Sequence, residues 1–317
     1  MEPVKASMKV AGIDTSKAKL DVAVKGKSEV LQVTNDAAGF AQLGAWLASM
    51  EVTRVGIEAT GGYERAVTTW LRGLGLEVVV HQPAEVRAFA RFKRLRAKTD
   101  KIDAALIAAA TAQVDTVRCA NDPLIVELAE RLTAYEQVSE LLAQMKTHLE
   151  HVTLEDLKAQ QQAQIQHTTT WKKALAQDLF SRIKANADLA RRFELLQSLP
   201  GVAKIVAASL VLRMPELGSL DHGHAASLLG VAPFAKDTGQ SNGERHIAGG
   251  RARPRRMVYL AAIVAKRIDP AYKAFAGRLL KAGKKPKVTI VAVMRKLIEA
   301  ANLILKRGTP WVPTQRA

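Results

Sequence analysis

Two aspartates stand three residues apart in the stretch "KTDKIDA", residues 98–104, directly before the apolar run 104–110. Residues at positions i and i+3 share a face of a helix, so a helix here would direct the carboxylates of Asp100 and Asp103 to one point. Acidic residues are also ordinary in the first turn of a helix, where they interact favourably with free N–H groups. The pair therefore indicates either a helix start or half of a magnesium site, and other acids must decide between them.

Two further acids come at the ends of short β-rich runs. The run "MKVAGID" ends in Asp14, and Glu58 stands near the end of "RVGIEA". Taken singly, Asp14 is a turn residue after a strand and Glu58 is a solvated strand end. Together with Asp100 and Asp103 they make four carboxylates on rigid elements, which suits two Mg²⁺ ions bound to the attacking and leaving oxygens of a phosphate. The sequence predicts such a site, with Mn²⁺ as a possible substitute.

The elements that must position these acids form an α/β pattern over residues 1–120. Three β-rich runs joined by tight polar links predict an antiparallel meander, and Asn35 or Asp36 offers a cap for the first helix. A strand, a helix, a strand and further helices follow. The predicted strands are residues 8–14, 19–26, 29–35, 54–59 and 76–81, and the later helices lie near 84–93 and 100–113. This is the element order of the ribonuclease H-like fold, in which the ends of the first and fourth strands are neighbours.

Long helices are predicted for a linker, residues 121–195. Apolar residues recur there at steps of three and four, which is typical of a coiled coil. The polar stretch "KAQQQAQIQHTTTW" is either a bend or a weak middle of this segment. The same pattern fits an intramolecular hairpin or a dimerisation arm.

The basic residues of the chain are concentrated at its end. The net charge is +17, and in residues 201–317 there are 21 basic residues against 6 acidic ones. Such a local excess favours a phosphate-backbone partner, because cationic side chains displace the counterions of nucleic acid. A merely well-solvated basic surface is the alternative. We therefore predict a mainly α-helical nucleic-acid-binding domain over residues 196–317.

Two segments of this domain carry the prediction of phosphate binding. "LPGVAKIVAASLV" places a Pro-Gly turn before a helix, whose free N–H groups can hold a phosphate. Residues 228–256 form a Gly- and Arg-rich loop, which is expensive to order unless it binds a ligand. The candidate nucleic-acid-binding residues are Arg245, Arg251, Arg253, Arg255, Arg256 and Lys204.

The single cysteine, Cys119, excludes an internal disulfide and a CxxC zinc site, which fits a reducing compartment. The N-terminal residues do not have the pattern of a signal peptide, and no uncharged run reaches the length of a membrane span. The expectation is a soluble, cytoplasmic protein without a membrane partner.

The first half of the chain contains the motifs "GIDTSK", "IEATGGYE" and "RAKTDKIDA", and the second half contains "LPGV", "LLGVAP", "GERHIAGGR" and "VYLAA". In these motifs the chain resembles the DEDD transposases of the IS110 insertion-sequence family over almost its whole length. The resemblance implies a RuvC-like domain with its DEDD acids at Asp14, Glu58, Asp100 and Asp103. It also implies a coiled-coil linker, a transposase domain with a nucleophilic serine, and a bridge RNA that guides the enzyme on its donor and target DNA. A homo-oligomer, dimer or tetramer, is expected.

The motif of the predicted nucleophile departs from the family. The family's serine stands five residues after the proline of "AP", and that position is Thr238 here. Ser241 follows three residues later. Family position favours Thr238, whereas the less hindered alcohol favours Ser241, so both are candidate nucleophiles. Either residue can instead be a turn residue that bonds its own backbone.

Three other functions compete with a recombinase that forms a covalent enzyme–DNA ester. A RuvC-like junction nuclease would use the four acids without a covalent bond. A sugar-kinase-like or actin-like ATPase is suggested by "GIDTSK", but a second phosphate loop and an adenosine motif are not evident in the sequence. A noncatalytic nucleic-acid-binding protein would not need the four acids.

Overall fold

A mixed five-stranded sheet forms the centre of the first of two compact units, residues 1–120 and 121–317. The computed structural model describes residues 8–94, 100–115, 122–234 and 245–312. The sheet has the order β3-β2-β1-β4-β5, with β1, β2 and β3 antiparallel and with β4 and β5 parallel to β1. Its strands are β1 (Val10–Thr15), β2 (Lys19–Val24), β3 (Val30–Thr34), β4 (Arg54–Glu58) and β5 (Glu77–His81). The predicted antiparallel meander and α/β organisation are confirmed.

Four helices accompany this sheet: α1 (Ala37–Ser49), α2 (Glu64–Gly73), α3 (Pro83–Phe92) and α4 (Asp100–Thr111). Helix α1 begins where predicted, because the Asp36 carboxylate accepts a hydrogen bond of 2.9 Å from the Gly39 amide. Alternate residues of the strands, such as Ile13 and Ile57, join α1 and α2 in one apolar core. The opposite face of β1, β2 and β4 packs against α4. The sheet is therefore covered on both faces, as its parallel strands require.

The second unit is mostly helical, as predicted. Its long helices α5 (Pro123–Leu149) and α6 (Glu155–Ala185) pack side by side, and the remaining helices are α7 (Ala187–Gln197), α8 (Lys204–Arg213), α9 (His224–Leu229), α10 (Ala252–Ile268), α11 (Pro270–Lys281) and α12 (Pro286–Arg307). Two short strands, β6 (Pro233–Phe234) and β7 (His246–Ile247), pair antiparallel. No helix in the described part of the chain combines the length and apolar character needed to cross a membrane.

Helices α5 and α6 form an antiparallel hairpin. Arg131 of α5 pairs with Asp178 of α6, and nearer the tip Thr168 lies beside Met145. The chain turns at residues 150–154, so the interpretation of the polar stretch 158–171 as a bend is wrong. Gln and Ala favour helix, and the hydroxyls of the threonines in this stretch bond back to carbonyls four residues earlier. Polarity alone therefore does not end a helix.

The core of the second unit is built around α8. Residues 206–212 of this helix are all buried, and Leu128 and Leu179 at the base of the α5–α6 hairpin belong to the same apolar cluster. The Pro-Gly turn before α8 has a packing role, because a Cβ atom at Gly201 would lie 2.8 Å from the amide nitrogen of Ala265 in α10. Gly201 also has φ +78°, which favours glycine. Its predicted phosphate contact stays a prediction.

Candidate metal and nucleic-acid sites

Asp14 and Glu58 lie on one face of the sheet, at the carboxyl ends of neighbouring parallel strands. Gly12 of β1 pairs in register with Gly56 of β4. Because alternate residues of a strand point to the same face, the positions two residues further on, Asp14 and Glu58, share the face of these glycines. Both carboxylate residues are partly buried. The predicted neighbourhood of these two strand ends is thus observed in the backbone.

Helix α4 crosses this same face in direct contact with the two glycines. A Cβ atom at Gly12 would lie 2.9 Å from Cα of Ala108 and would overlap the carbonyl oxygen of Ala104. A Cβ atom at Gly56 would lie 2.9 Å from Cβ of Thr111. Only glycine at these two positions leaves room for the helix, whose backbone contacts Gly12 and whose Thr111 side chain contacts Gly56. The contact fixes where the first turns of α4 stand relative to the strand ends.

The start of α4 carries the remaining two predicted acids. Asp103 immediately precedes Ala104 and is partly buried, at the edge of the helix face that covers the sheet. Asp100 is the first residue of the helix, and its side chain lies outside the described atoms. The structure therefore brings Asp14, Glu58 and Asp103 to one face of the sheet.

The chemistry of these acids fits a hard cation, because Mg²⁺ and Mn²⁺ prefer carboxylate oxygens. In the described ranges, no group of three or more His, Cys, Asp or Glu side chains is gathered closely enough to hold a metal ion. The backbone thus places the acids of β1, β4 and α4 on one face of the sheet. Their described side chains do not converge on a single metal position.

Asp21 is a further carboxylate beside Asp14, and the sequence did not indicate it. It pairs with Asp14 across β1 and β2, so both side chains point to the same face. Asp21 is buried, accepts a hydrogen bond of 2.6 Å from Gln32 Nε2 and forms an ion pair of 3.1 Å with Lys19 Nζ. These partners offset the repulsion between two opposed acids. The sequence would have shown this pairing only if the register of the β1–β2 hairpin had been known.

His81 links the sheet edge to the far end of α4. It pairs in register with Glu58 at the end of β5, is buried, and has Nε2 2.8 Å from the Thr111 hydroxyl. That hydroxyl donates to the Ile107 carbonyl, so the imidazole N–H donates to the hydroxyl oxygen. Burial lowers the pKa of His81, and the nearby Glu85 carboxylate opposes this shift. A neutral His81 therefore holds α4 against β5.

The motif "TGGYE" after β4 forms a turn that controls the chain exit from Glu58. The Glu64 carboxylate accepts hydrogen bonds from the amides of Thr60 (3.0 Å) and Gly62 (2.9 Å). Gly62 has φ +102°, a conformation that side-chain-bearing residues rarely adopt. The glycines and Glu64 thus fix the turn that follows Glu58. Tyr63 is exposed on this turn.

A basic groove lies in the second unit between the β6–β7 pair and helices α10 and α12. It has a volume of about 710 Å³ and an apolar floor that includes Val291 and Met294. Its cationic and aromatic lining consists of Arg245, Arg255, Arg256, Lys287, Arg295, His246 and Tyr259. A cationic rim over apolar and aromatic surface suits phosphates and bases of nucleic acid. Thr238 and Ser241 lie outside the described residues, in the sequence segment between β6 and β7.

Four of the arginines predicted to bind nucleic acid have partners within the protein. Arg251 forms an ion pair of 2.5 Å with Glu216, and Arg253 donates to the Thr133 hydroxyl at 2.7 Å. Arg256 pairs with Glu140 of α5, and Arg255 donates to the Gly249 carbonyl. These contacts tie the start of α10 to neighbouring elements. Of the four, Arg255 and Arg256 also line the basic groove.

The other two predicted cations differ in their surroundings. Arg245 is exposed and lines the basic groove directly after β6 and the undescribed segment. Lys204, at the start of α8, has Nζ 5.8 Å from the centre of the Phe180 ring, a cation–π contact, and is also exposed.

Comparison with known proteins assigns both units to transposase models. The family model of IS110 DEDD transposases, described as a transposase, matches residues 11–178, and that of the "Transposase IS116/IS110/IS902 family" matches residues 193–276. A pilin gene-inverting protein of Moraxella bovis is 27% identical over 293 residues, which cover 88% of this chain and 89% of that protein. An insertion element IS110 protein of 43.6 kDa from Streptomyces coelicolor is 31% identical over 116 residues, 36% of this chain and 29% of that protein.

Proposed function

The chain belongs to the IS110 family of transposases and is a DNA recombinase, and we propose that it cuts and rejoins DNA through a covalent ester between a side-chain hydroxyl and a DNA phosphate. The observation that carries the cutting step of this proposal is the close packing of α4 on Gly12 and Gly56, beside which Asp14, Glu58 and Asp103 lie on one face of the sheet. A pilin gene-inverting protein must break and rejoin DNA to do what its name states, and it aligns along most of this chain.

We propose that the first unit is a RuvC-like domain of the ribonuclease H-like class. The strand order β3-β2-β1-β4-β5, with three antiparallel strands and two parallel ones, supports this fold. We further propose a coiled-coil linker over residues 121–195 and a transposase domain over residues 196–317. The antiparallel α5–α6 hairpin supports the linker, and its tip is the candidate contact with another protomer of a dimer or tetramer.

Asp14, Glu58, Asp100 and Asp103 would hold Mg²⁺, or Mn²⁺ in its place. Bound there, the ion would supply Lewis-acid stabilisation of charge on the phosphate oxygens. The residues of this chain do the positioning: Gly12 and Gly56 set the height of α4 over the sheet, and His81 holds its far end. The turn closed by Glu64 fixes the backbone beyond Glu58.

In the covalent step, the hydroxyl oxygen of Ser241 or Thr238 attacks phosphorus. The new oxygen–phosphorus bond forms as the bond to the neighbouring sugar oxygen breaks; the hydroxyl loses its proton, and the departing sugar oxygen gains one. Joining is the reverse, with a sugar hydroxyl of the new partner strand as the attacking group and the side-chain hydroxyl restored. No net energy source is needed, because one phosphate ester replaces another.

The basic groove is the proposed site for the phosphates that flank the reacting bond. Arg245, Arg255 and Arg256 line it and are among the predicted nucleic-acid-binding residues. We propose that a bridge RNA shares this surface and selects donor and target DNA by base pairing, so that side chains need to read shape and phosphate rather than sequence.

One experiment tests the mechanism against its nearest rival. The protein is incubated with labelled DNA and Mg²⁺ and then denatured. A covalent protein–DNA adduct, mapped by mass spectrometry to Ser241 or Thr238, is the expected result. Free cut ends without an adduct would establish the alternative, a RuvC-like two-metal junction nuclease. Sequencing of RNA that copurifies with the protein tests the bridge RNA.

A further inference from the structure

A second cavity of about 580 Å³ lies between α11 and α12 in the second unit. Its walls are aromatic: Tyr272 and Phe275 come from α11, and Trp311 follows α12. The Tyr272 and Trp311 rings are stacked, with centres 6.2 Å apart and planes inclined by 25°. The backbone amide of Trp311 donates a hydrogen bond of 2.8 Å to the Ser198 hydroxyl, which ties the backbone at Trp311 to the end of α7. The cavity therefore has a rigid wall suited to a flat, aromatic occupant.

Two polar atoms of the lining have no hydrogen-bond partner within the described ranges. They are Oε1 of Glu299, an acceptor on α12, and Nε1 of Trp311, a donor. Both atoms are closed off from solvent although their residues are only partly buried. Unsatisfied buried donors and acceptors are costly and uncommon. An occupant that offers both a donor and an acceptor would satisfy both groups once the long, rotatable Glu299 side chain turns toward it.

The rim of this cavity is cationic and continuous with the basic groove. Arg295 and Lys296 of α12 are exposed there, and Lys296 Nζ lies 4.4 Å from the centre of the Phe275 ring. Ala292 and Arg295 line both cavities. A strand whose phosphates follow the groove can therefore reach this second cavity without leaving positively charged surface.

We propose that the cavity between α11 and α12 binds one unstacked nucleobase of a single strand whose phosphates lie in the basic groove. A base matches the lining because its ring faces stack on aromatic side chains. On its edge an N–H donates to the Glu299 carboxylate, and a neighbouring nitrogen or carbonyl oxygen accepts from Trp311 Nε1. The inference rests on the proposed binding of nucleic acid by this unit, and it adds a base-contacting site to it. The strand can be RNA or unpaired DNA.

The test compares Glu299→Gln with the matched control Glu194→Gln, which changes an exposed glutamate on α7 outside the cavity. Both variants raise the net charge by the same amount, so phosphate attraction alone predicts equal or tighter binding for both. The inference predicts the opposite for Glu299→Gln: affinity for an intact single strand falls about threefold to tenfold, the size of one ordinary hydrogen bond. Trp311→Phe keeps an aromatic ring at this position, although a smaller one, removes the indole N–H and is expected to lose a similar factor.

The probes are a short mixed-sequence single strand, made as RNA and as DNA, and an abasic strand with the same deoxyribose phosphates. Binding is measured by fluorescence anisotropy over a range of salt concentrations. The wild-type protein is expected to prefer the intact strand, and the two cavity variants are expected to lose this preference with an unchanged salt slope. The arm in which the loss is larger identifies RNA or DNA as the source of the base.

Two results would overturn the inference. If Glu299→Gln and Trp311→Phe bind intact strands as the wild type does, the cavity takes no base, while the proposed recombinase function stands. If the wild-type protein binds none of the strands, the nucleic-acid role of this unit fails as well. Thermal melting of each variant excludes misfolding as the cause of a loss, and Trp311→Phe serves alone if Glu299→Gln does not fold.

Discussion

The α-carbon of Gly12 lies so close to Ala104 that the carbonyl oxygen of Ala104 occupies the place where a side chain at position 12 would begin. This contact joins a strand to a helix turn. The strand carries Asp14 two residues after Gly12, and the helix turn carries Asp103 one residue before Ala104. The distance between two predicted metal ligands is thus set by a backbone contact that contains no ligand.

The substitution Gly12→Ala is expected to lower both stability and DNA cleavage. Overpacking against backbone atoms costs about 1 to 3 kcal/mol. To relieve the steric overlap, α4 must move away from the strand ends that carry Asp14 and Glu58. Gly73→Ala is the control, since a Cβ atom at Gly73, the last residue of α2, meets nothing within 4 Å. Urea unfolding and cleavage assays measure the two effects. Wild-type cleavage by a folded Gly12→Ala protein would contradict the positioning role.

Each of the variants Asp14→Ala, Glu58→Ala and Asp103→Ala is expected to fold and to lose strand cleavage, because the loss of one ligand misplaces the ion. Mn²⁺ should replace Mg²⁺, whereas the larger Ca²⁺ should support DNA binding without turnover. Asp21→Asn is the control at the same edge, because its amide oxygen can still accept from Gln32. Full cleavage in EDTA, or by Asp14→Ala, would remove the metal from the mechanism.

The stability of the protein should fall as pH drops below the ordinary pKa of histidine, partly because of His81. Burial puts the pKa of folded His81 below its ordinary value of 6.5, so the unfolded chain takes up the proton first. The stabilisation is complete above pH 6.5 and is lost as pH falls from there through the lower, folded pKa. His81→Gln should flatten this dependence in melting temperature, and the exposed His167→Gln should not. Equal slopes for the wild type and His81→Gln would contradict it.

The Arg213–Glu136 ion pair should contribute strongly to the attachment of α8 to α5. It is bidentate, at 2.6 and 2.9 Å, and both side chains are nearly buried. Arg213→Met is expected to cost about 3 to 5 kcal/mol, because it leaves a buried carboxylate with weaker partners. The double variant with Glu136→Met should recover part of this loss. Arg256→Met, which breaks an exposed pair with Glu140, should cost less than about 1 kcal/mol in the same unfolding assay.

Groove cations should control how steeply nucleic-acid binding falls with salt. Arg245→Ala and Lys287→Ala are each expected to weaken binding and to reduce the logarithmic salt slope by about one. Lys146→Ala, on α5 outside the groove, is the charge-matched control.

The variant with Arg251, Arg253, Arg255 and Arg256 all changed to Ala should also lose affinity for nucleic acid. It should melt earlier as well, because these arginines hold α10 to its neighbours.

Local patterns were sufficient to predict the elements of the first unit. Alternation of apolar residues and the cap at Asp36 predicted the strands and α1, because these signals depend on neighbours within a few residues. The polar stretch 158–171 was ambiguous for the same reason. Its Gln, Thr and Ala residues fit either a bend or a helix, and the packing of α6 along α5 decided for the helix.

The sequence by itself determined the residue types of the candidate site, the α/β organisation of the first unit and, through its motifs, the transposase family. Only the tertiary structure decided which residues meet. The approach of α4 to Gly12 and Gly56, the pairing of Asp21 with Asp14, and the partners of Arg251 and Arg253 all join residues distant in the chain. Such contacts depend on register and on the packing of whole elements, which the short-range patterns of a single sequence do not encode.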